Sequence, residues 1–151
     1  MPATARPPDV FISYAHRDSE WLDQVLVHLK PYIREDHIRV WSDQSIRPGD
    51  EWRRSIEETL DAATVAILLV SPHFLASDFI SSDELPPLLD ARRTRGLRIY
   101  WFLVSACAYR ITPIANYQAA HDIAKPLASL GQAEIDSVLA AACARIPSDP
   151  H

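Results

Sequence analysis

A chain of 151 residues with 48% hydrophobic and 23% charged residues suits one domain with a sizeable core. Its formal net charge of −5 argues against a nucleic-acid-binding surface. The longest apolar runs, Val65–Val70 and Ile99–Val104, are far too short to span a bilayer. The opening "MPATARPP" has no apolar core and is no signal peptide, so residues 1–8 read as a disordered lead-in and the cytoplasm is the expected compartment. Three glycines, Gly49, Gly96 and Gly131, cannot build a G-x-G-x-x-G or Walker loop. Cys107 and Cys143 lie far apart in apolar surroundings and read as buried small hydrophobes. The histidines show no ligand spacing, so no metal site is expected.

In chain order, the β-branched and aromatic run Val10–Tyr14 predicts a strand. Asp18 or Ser19 caps a helix whose apolar positions Trp21, Leu22, Val25, Leu26 and Leu29 keep to one face, with Pro31 marking its end. Ile38–Trp41 predicts a second strand. A loop follows, "SDQSIRPGD", with Pro48-Gly49 as the turn and Asp50 as the next cap. Trp52, Ile56, Leu60 and Ala63 then repeat at helical spacing. Thr64–Ser71 is apolar almost throughout and predicts a central strand buried on both faces. A helix through roughly Arg93 ends at Gly96, and Leu97–Val104 is another buried strand. Residues 105–130 are irregular, with a short edge strand near Tyr117–His121. A last helix spans Gln132–Ile146, with Ile135, Val138, Leu139, Ala142 and Ile146 in register.

Strands alternating with helices predict an α/β fold with a doubly wound parallel sheet. The smallest such fold is flavodoxin-like, five strands in the order 2-1-3-4-5 flanked by helices. Its sites lie at the carboxyl ends of strands one and three, where the winding reverses. That rule selects Ser13–Arg17 after strand one and Ser71–Glu84 after strand three, with the loop 42–50 able to close over them.

The segment "HFLASDFISSDELPPLL" (73–89) contains an oddity. Glu84 stands just ahead of Pro86-Pro87, in what is otherwise an amphipathic helix. With Ser82 as a cap, the prolines would remove the first intrahelical hydrogen bonds. The expectation is a separate or distorted turn carrying Glu84, a regular helix beginning near Leu85–Leu88, and a carboxylate pointing across the cleft toward Ser13-Tyr14.

Several chemistries fail at this place. A receiver domain needs a phosphoacceptor Asp ending strand three, where Val70-Ser71 stand. A flavin phosphate loop needs glycine, which "SYAHRDSEW" lacks, and there is no G-x-S-x-G elbow. A lone glutamate remains. Ordinary glycosidases need two carboxylates, one protonating the leaving group. In NAD+ the leaving nicotinamide is already a cationic pyridinium and departs neutral, so one carboxylate that stabilises the oxocarbenium ion is sufficient.

The motifs "DVFISYAHRDSEW" (Asp9–Trp21), "VWSDQSIRPGDEW" (Val40–Trp52) and "LLVSPHFLASDFISSDEL" (Leu68–Leu85) resemble, in order, three signatures of Toll/interleukin-1 receptor (TIR) domains. The resemblance covers residues 9–146, with 147–151 as a tail or the start of a linker to a C-terminal sensor domain. For the enzymatic, bacterial-style branch it implies cleavage of NAD+ to nicotinamide and ADP-ribose or a cyclic variant. NAD+ is then a substrate and there is no cofactor. Glu84 matches the catalytic position. Ser13, Tyr14 and Arg17 match the cleft-lining loop, and Asp43, Trp52 and Ser71 match further positions around it. Ser45, Ile46, Arg47, Pro48 and Gly49 match the BB loop, through which such domains self-assemble with other TIR domains into oligomers or filaments. Many enzymatic members carry Trp four residues before the glutamate. Here that place is Ile80, and Phe79 is the substitute. The resemblance also implies an effector of bacterial anti-phage defence, without membrane or direct nucleic-acid contact.

Plainer roles stand beside these. Glu84, or equally Asp83, is a good helix-start carboxylate. Tyr14, Trp41, Trp52 and Trp101 suit the core, and Asp43 suits an Asx-turn. Arg92, Arg93, Arg95 and Arg98 form a solvated helix end or a contact for an acidic neighbour. A TIR adaptor acting by contact alone, without chemistry, is the alternative function.

Overall fold

Four parallel strands organise the computed structural model, which describes residues 7–42 and 58–147. They are β1 (Asp9–Ser13), β2 (Arg39–Ser42), β3 (Val65–Val70) and β4 (Arg98–Leu103), in the order β2-β1-β3-β4. From β1 the chain steps out to β2, then crosses back over β1 to β3. The winding direction therefore reverses between β1 and β3, as the alternation of strands and helices predicts.

Every residue of β3 is buried, which is the reason its sequence is VAILLV without a polar break. Successive strand residues go to opposite faces, so the sheet carries two cores. One face packs Val10, Ile12, Ile67, Leu69 and Phe102 against α1 (Ser19–Arg34) and a C-terminal helix, Gln132–Arg145. The other packs Phe11, Ala66, Leu68, Trp101 and Leu103 against Leu60, Phe74, Leu88 and Ala91. Those four residues come from α2 (described over residues 58–62), α3 (Pro72–Ala76) and α4 (Leu85–Arg95). The C-terminal helix is α5. It lies against α1, and hydrogen bonds His28–Asp136 and Gln132–Gln24 trim the polar rim of that contact.

The structure corrects several expectations. Helix α1 does not stop at Pro31 but runs to Arg34. A proline inside a helix costs about 3 kcal/mol in a central position. Here it falls near the end, and Tyr32 and Ile33 beyond it pack on the core, which offsets the loss. Trp41 is 41% exposed and not core, because β2 is an edge strand. Cys143 is buried but Cys107 only half-buried, and both are free thiols.

Four strands, not five, form among the described residues. The stretch expected as a fifth strand makes a single bridge, Ala119 to Trp101, with Ala120 N–H donating to the Trp101 carbonyl at 2.8 Å. Short 3-10 turns at Tyr109–Ile111, Pro113–Asn116 and Leu127–Ser129 use up the chain around it. Nor is the arginine run simply solvated. Arg93 pairs with Asp90, while Arg95 donates to the carbonyls of Ala63 (2.6 Å) and Leu60 (2.8 Å) and so caps the end of α2. No helix among the described residues is long and apolar enough to cross a membrane.

Helix α4 ends on Gly96, whose φ of 73° is left-handed. A Cβ there would meet nothing within 4 Å, so Gly96→Ala isolates backbone strain from packing. The expected cost is about 1 kcal/mol, a fall in Tm of about 2–4 °C. An unchanged melting curve would mean the left-handed cap does not stabilise α4.

His121 covers the open edge of β4. Its Nε2 accepts the Leu103 N–H at 2.9 Å and its ring stacks on Phe102. Burial pushes its pKa below the ordinary value, against a weaker upward pull from a hydrogen bond and charge at Asp122. The neutral ring therefore contributes stability above about pH 6.5, and that stability is lost as pH falls through the lower folded-state value. Thermal unfolding between about pH 7.5 and about pH 5 should show a smaller acid loss in His121→Gln than in wild type. Equal slopes would remove His121 as the cause.

Candidate active site

The two central strands both end in hydroxyls. Ser13 closes β1, and Ser71 directly follows β3. In the sheet register Ser13 lies beside Leu68, so both carboxyl ends open on the same crevice. Ser71 accepts the Phe74 N–H at 3.0 Å and so caps α3, while Pro72 occupies its first turn, where a missing N–H costs nothing.

Helix α3 lasts only five residues. Ser77 Oγ then accepts the Ile80 N–H at 3.2 Å and restarts the helical path. Residues Ile80–Glu84 form a π-helical turn, closed by Leu85 N–H donating to the Ile80 carbonyl, and α4 follows without a break. The prolines explain this turn. In a continuous α-helix the N–H groups of residues 86 and 87 would serve the carbonyls of Ser82 and Asp83, and proline has none. A wider turn absorbs the mismatch just before the regular helix, as such turns often do near functional sites.

That turn also separates the two acids. Ser81 and Ser82 are exposed and Asp83 is half-buried, whereas Ile80 and Glu84, four residues apart, face inward. Glu84 has no exposed surface, and one of its oxygens accepts the Ser13 hydroxyl at 2.6 Å. A hydrogen bond to a charged acceptor contributes about 1.5–3 kcal/mol when buried, part of what offsets desolvation of the carboxylate.

A second buried pair lies alongside, and the sequence reading missed it. Asp18 occupies the cap position of α1 but makes no capping hydrogen bond with its side chain. Its carboxylate instead accepts the Ser71 hydroxyl, and Asp18 is buried. The signal available was a polar residue shared by a strand-end turn and a helix start. Helix-cap chemistry accounted for Asp18 too easily.

The remaining candidates are distributed unevenly. Tyr14 is buried in the core, its ring stacked on His16 at 5.9 Å. Arg17 is exposed on the 3-10 turn His16–Asp18. Phe79 is half-buried against the apolar face beneath α4, and Ile80 is a core residue. Asp43, Ser45, Ile46, Arg47, Pro48, Gly49 and Trp52 lie outside the described residues. Among the described residues, no three His, Cys, Asp or Glu side chains cluster as a metal site requires.

The arrangement is a dry carboxylate pinned on one oxygen and held at the sheet's switch point. Electrostatic attraction to a cation is far stronger there than in water.

Comparison with known proteins gives this geometry a context. The TIR domain family profile matches residues 10–128. The chain is 36% identical over 105 residues to the NAD(+) hydrolase PdTIR of Paracoccus denitrificans, covering 68% of this chain and 34% of that protein. It is 29% identical over 80 residues to the 2′ cyclic ADP-D-ribose synthase BtTIR of Bacteroides thetaiotaomicron, covering 52% and 27% respectively. It is 28% identical over 120 residues to the uncharacterized protein y4lF of Sinorhizobium fredii, covering 80% and 37%. The chain thus spans between 27% and 37% of the length of these relatives. The family match runs from the second residue of β1 past the end of β4 and takes in the two serine-bonded carboxylates, Asp18 and Glu84. The chain belongs to the TIR domain family.

Proposed function

We propose that this domain cleaves the nicotinamide–ribose bond of NAD+, with Glu84 as the catalytic carboxylate. The observation that carries the reading is a buried glutamate at the switch point, hydrogen-bonded to Ser13. The names of the relatives PdTIR and BtTIR support the substrate class. As the C–N bond breaks, its electron pair goes to the pyridinium nitrogen and nicotinamide leaves neutral. Positive charge develops on the ribose, and the carboxylate stabilises it. Water then adds to the anomeric carbon and loses a proton, giving ADP-ribose. Attack by a hydroxyl of the same molecule gives a cyclic product instead.

Ser13 fixes the carboxylate's orientation. Tyr14, Arg17, Asp43, Trp52, Ser71 and Phe79 are the proposed surroundings of the substrate. Glu84 has no exposed surface, so this is a resting geometry. Self-assembly through Ser45, Ile46, Arg47, Pro48 and Gly49 is the proposed trigger that uncovers it. The partners are other TIR domains, and the setting is bacterial anti-phage defence in the cytoplasm.

Glu84→Gln keeps the shape and an acceptor for Ser13 but removes the charge. Nicotinamide release from NAD+ at high protein concentration should fall by at least about 10²-fold, with the fold intact by circular dichroism. A variant that keeps most of its activity, or a concentrated wild type that releases no nicotinamide, would end the enzymatic reading. Specific activity should also rise with protein concentration; a flat dependence would count against activation by assembly.

Ser13→Ala and Asp18→Asn separate orientation from architecture. Ser13→Ala should lower kcat about tenfold or more, because a charged hydrogen bond of about 1.5–3 kcal/mol is lost beside the reacting centre. Asp18→Asn touches the neighbouring pair and should chiefly lower Tm. If Ser13→Ala changes only Tm and leaves kcat intact, Ser13 is structural alone.

A further inference from the structure

A cavity of about 340 Å³ opens at the far end of the sheet from Glu84. The strands are parallel, and α4 runs back along them. Its first residue adjoins Glu84, and its last turn, from Arg92 to Arg95, lies at the start of β4, about 10–15 Å away along the helix. The cavity is an open cleft lined by that turn, the first residues of β4, the segment bridging to Trp101 and the end of α5.

Its lining holds three guanidinium groups, from Arg92, Arg98 and Arg145, and no carboxylate among the described residues. In a chain of net charge −5 this is a local inversion of sign. Arg98 is fixed: it donates to the Ile146 carbonyl at 2.9 Å and to the Tyr100 hydroxyl at 3.3 Å. These bonds use two of the five N–H donors a guanidinium carries. The Arg145 guanidinium lies over the Tyr100 ring, 5.5 Å from its centre. Arg92 is exposed at the rim. Clustered cations repel one another, and an anion between them relieves that repulsion.

We propose that this cavity binds the phosphate group of a small molecule. Guanidinium forks match phosphate oxygens two at a time, and Arg92 and Arg98 bring two such forks to one cavity. The volume lies at the small end of ligand pockets, enough for a phosphate with a compact body against Ile99, Ala119 and the Tyr117 ring. The site is separate from Glu84 and does not depend on NAD+ cleavage.

Isothermal titration of the whole chain with inorganic phosphate, pyrophosphate and AMP tests this, with sodium chloride at matched ionic strength as control. Wild type should bind at least one of them in the millimolar range or tighter and gain Tm, with chloride inert. Tighter binding of AMP than of phosphate assigns the source to an organic phosphate and equal binding to the free anion; both support the site. Arg98→Gln should weaken binding about tenfold or more. Because Arg98 also holds Ile146, Arg92→Glu at the exposed rim serves as the second variant and should do the same with unchanged Tm. Glu84→Gln should leave phosphate binding intact, which separates this cavity from the proposed catalytic site. No binding by wild type, an equal effect of chloride, or affinity that survives both arginine variants would overturn the proposal. So would an Arg92→Glu variant that loses self-association while phosphate never binds, an outcome that points to an acidic protein surface instead.

Discussion

Two hydroxyls at the ends of neighbouring strands hold two carboxylates crosswise, and the carboxyl end of the sheet is organised around that exchange. Ser13, at the end of β1, donates to Glu84, which lies downstream of β3. Ser71, after β3, donates to Asp18, which lies downstream of β1. Each strand thus grips the segment that leaves the other. The switch point is where two connections diverge to opposite faces of the sheet. The crossed pairs tie their first turns together with four polar side chains, all of them buried. The arrangement costs desolvation of both carboxylates, and the serine hydrogen bonds that offset part of it hold while each serine stays in register. Register in turn depends on the uninterrupted apolar run of β3, which locks Leu68 beside Ser13.

The π-turn is the second half of the same constraint. A regular α-helix through residues 80–88 would lack partners for two carbonyls because of Pro86 and Pro87. Widening the turn to five residues places Ile80 and Glu84 inward together, one into the apolar core and one onto Ser13. Ile80 anchors the turn by burial, and Glu84 uses that anchor. A helix-disfavouring dipeptide and a buried carboxylate are therefore one device: the prolines prevent the helix from starting early, and the delay aims the acid.

Much of this was legible because it rests on local rules. The apolar run of β3, the spacing of Leu22, Val25 and Leu29, and the glycine at the end of α4 each report a periodicity or a backbone angle. The proline argument anticipated a distorted turn at Glu84 for the same reason. What the sequence hid depends on tertiary neighbours. Trp41 looks like core until β2 proves to be an edge. Pro31 looks like a stop until Tyr32 and Ile33 find the core beyond it. Asp18 looks like a cap, and only the adjacency of β1 and β3 brings Ser71 to its carboxylate. In place of a fifth strand, the edge of β4 is met by a single bridge at Trp101 and by His121 at Leu103, with Ala128 donating to Val104 just beyond it. Arg95 and Arg98 read as solvent-facing charge, yet both hold backbone carbonyls of other elements.

Burial of Glu84 then bears on how such a site works. A carboxylate with no exposed surface cannot touch a nucleotide, and one left permanently exposed would lose the dry surroundings that make its charge effective. The two requirements are met in turn if the resting domain keeps the acid covered and an assembly event uncovers it toward substrate. The hydrogen bond from Ser13 suits that sequence. It holds one oxygen on the side of β1, so under the proposed activation the carboxylate would not need re-aiming and little reorganisation would remain for the proposed bond cleavage. The same bond makes the resting state tolerable, since it lessens the cost of burying charge without substrate. In this reading one serine serves folding before activation and orientation after it.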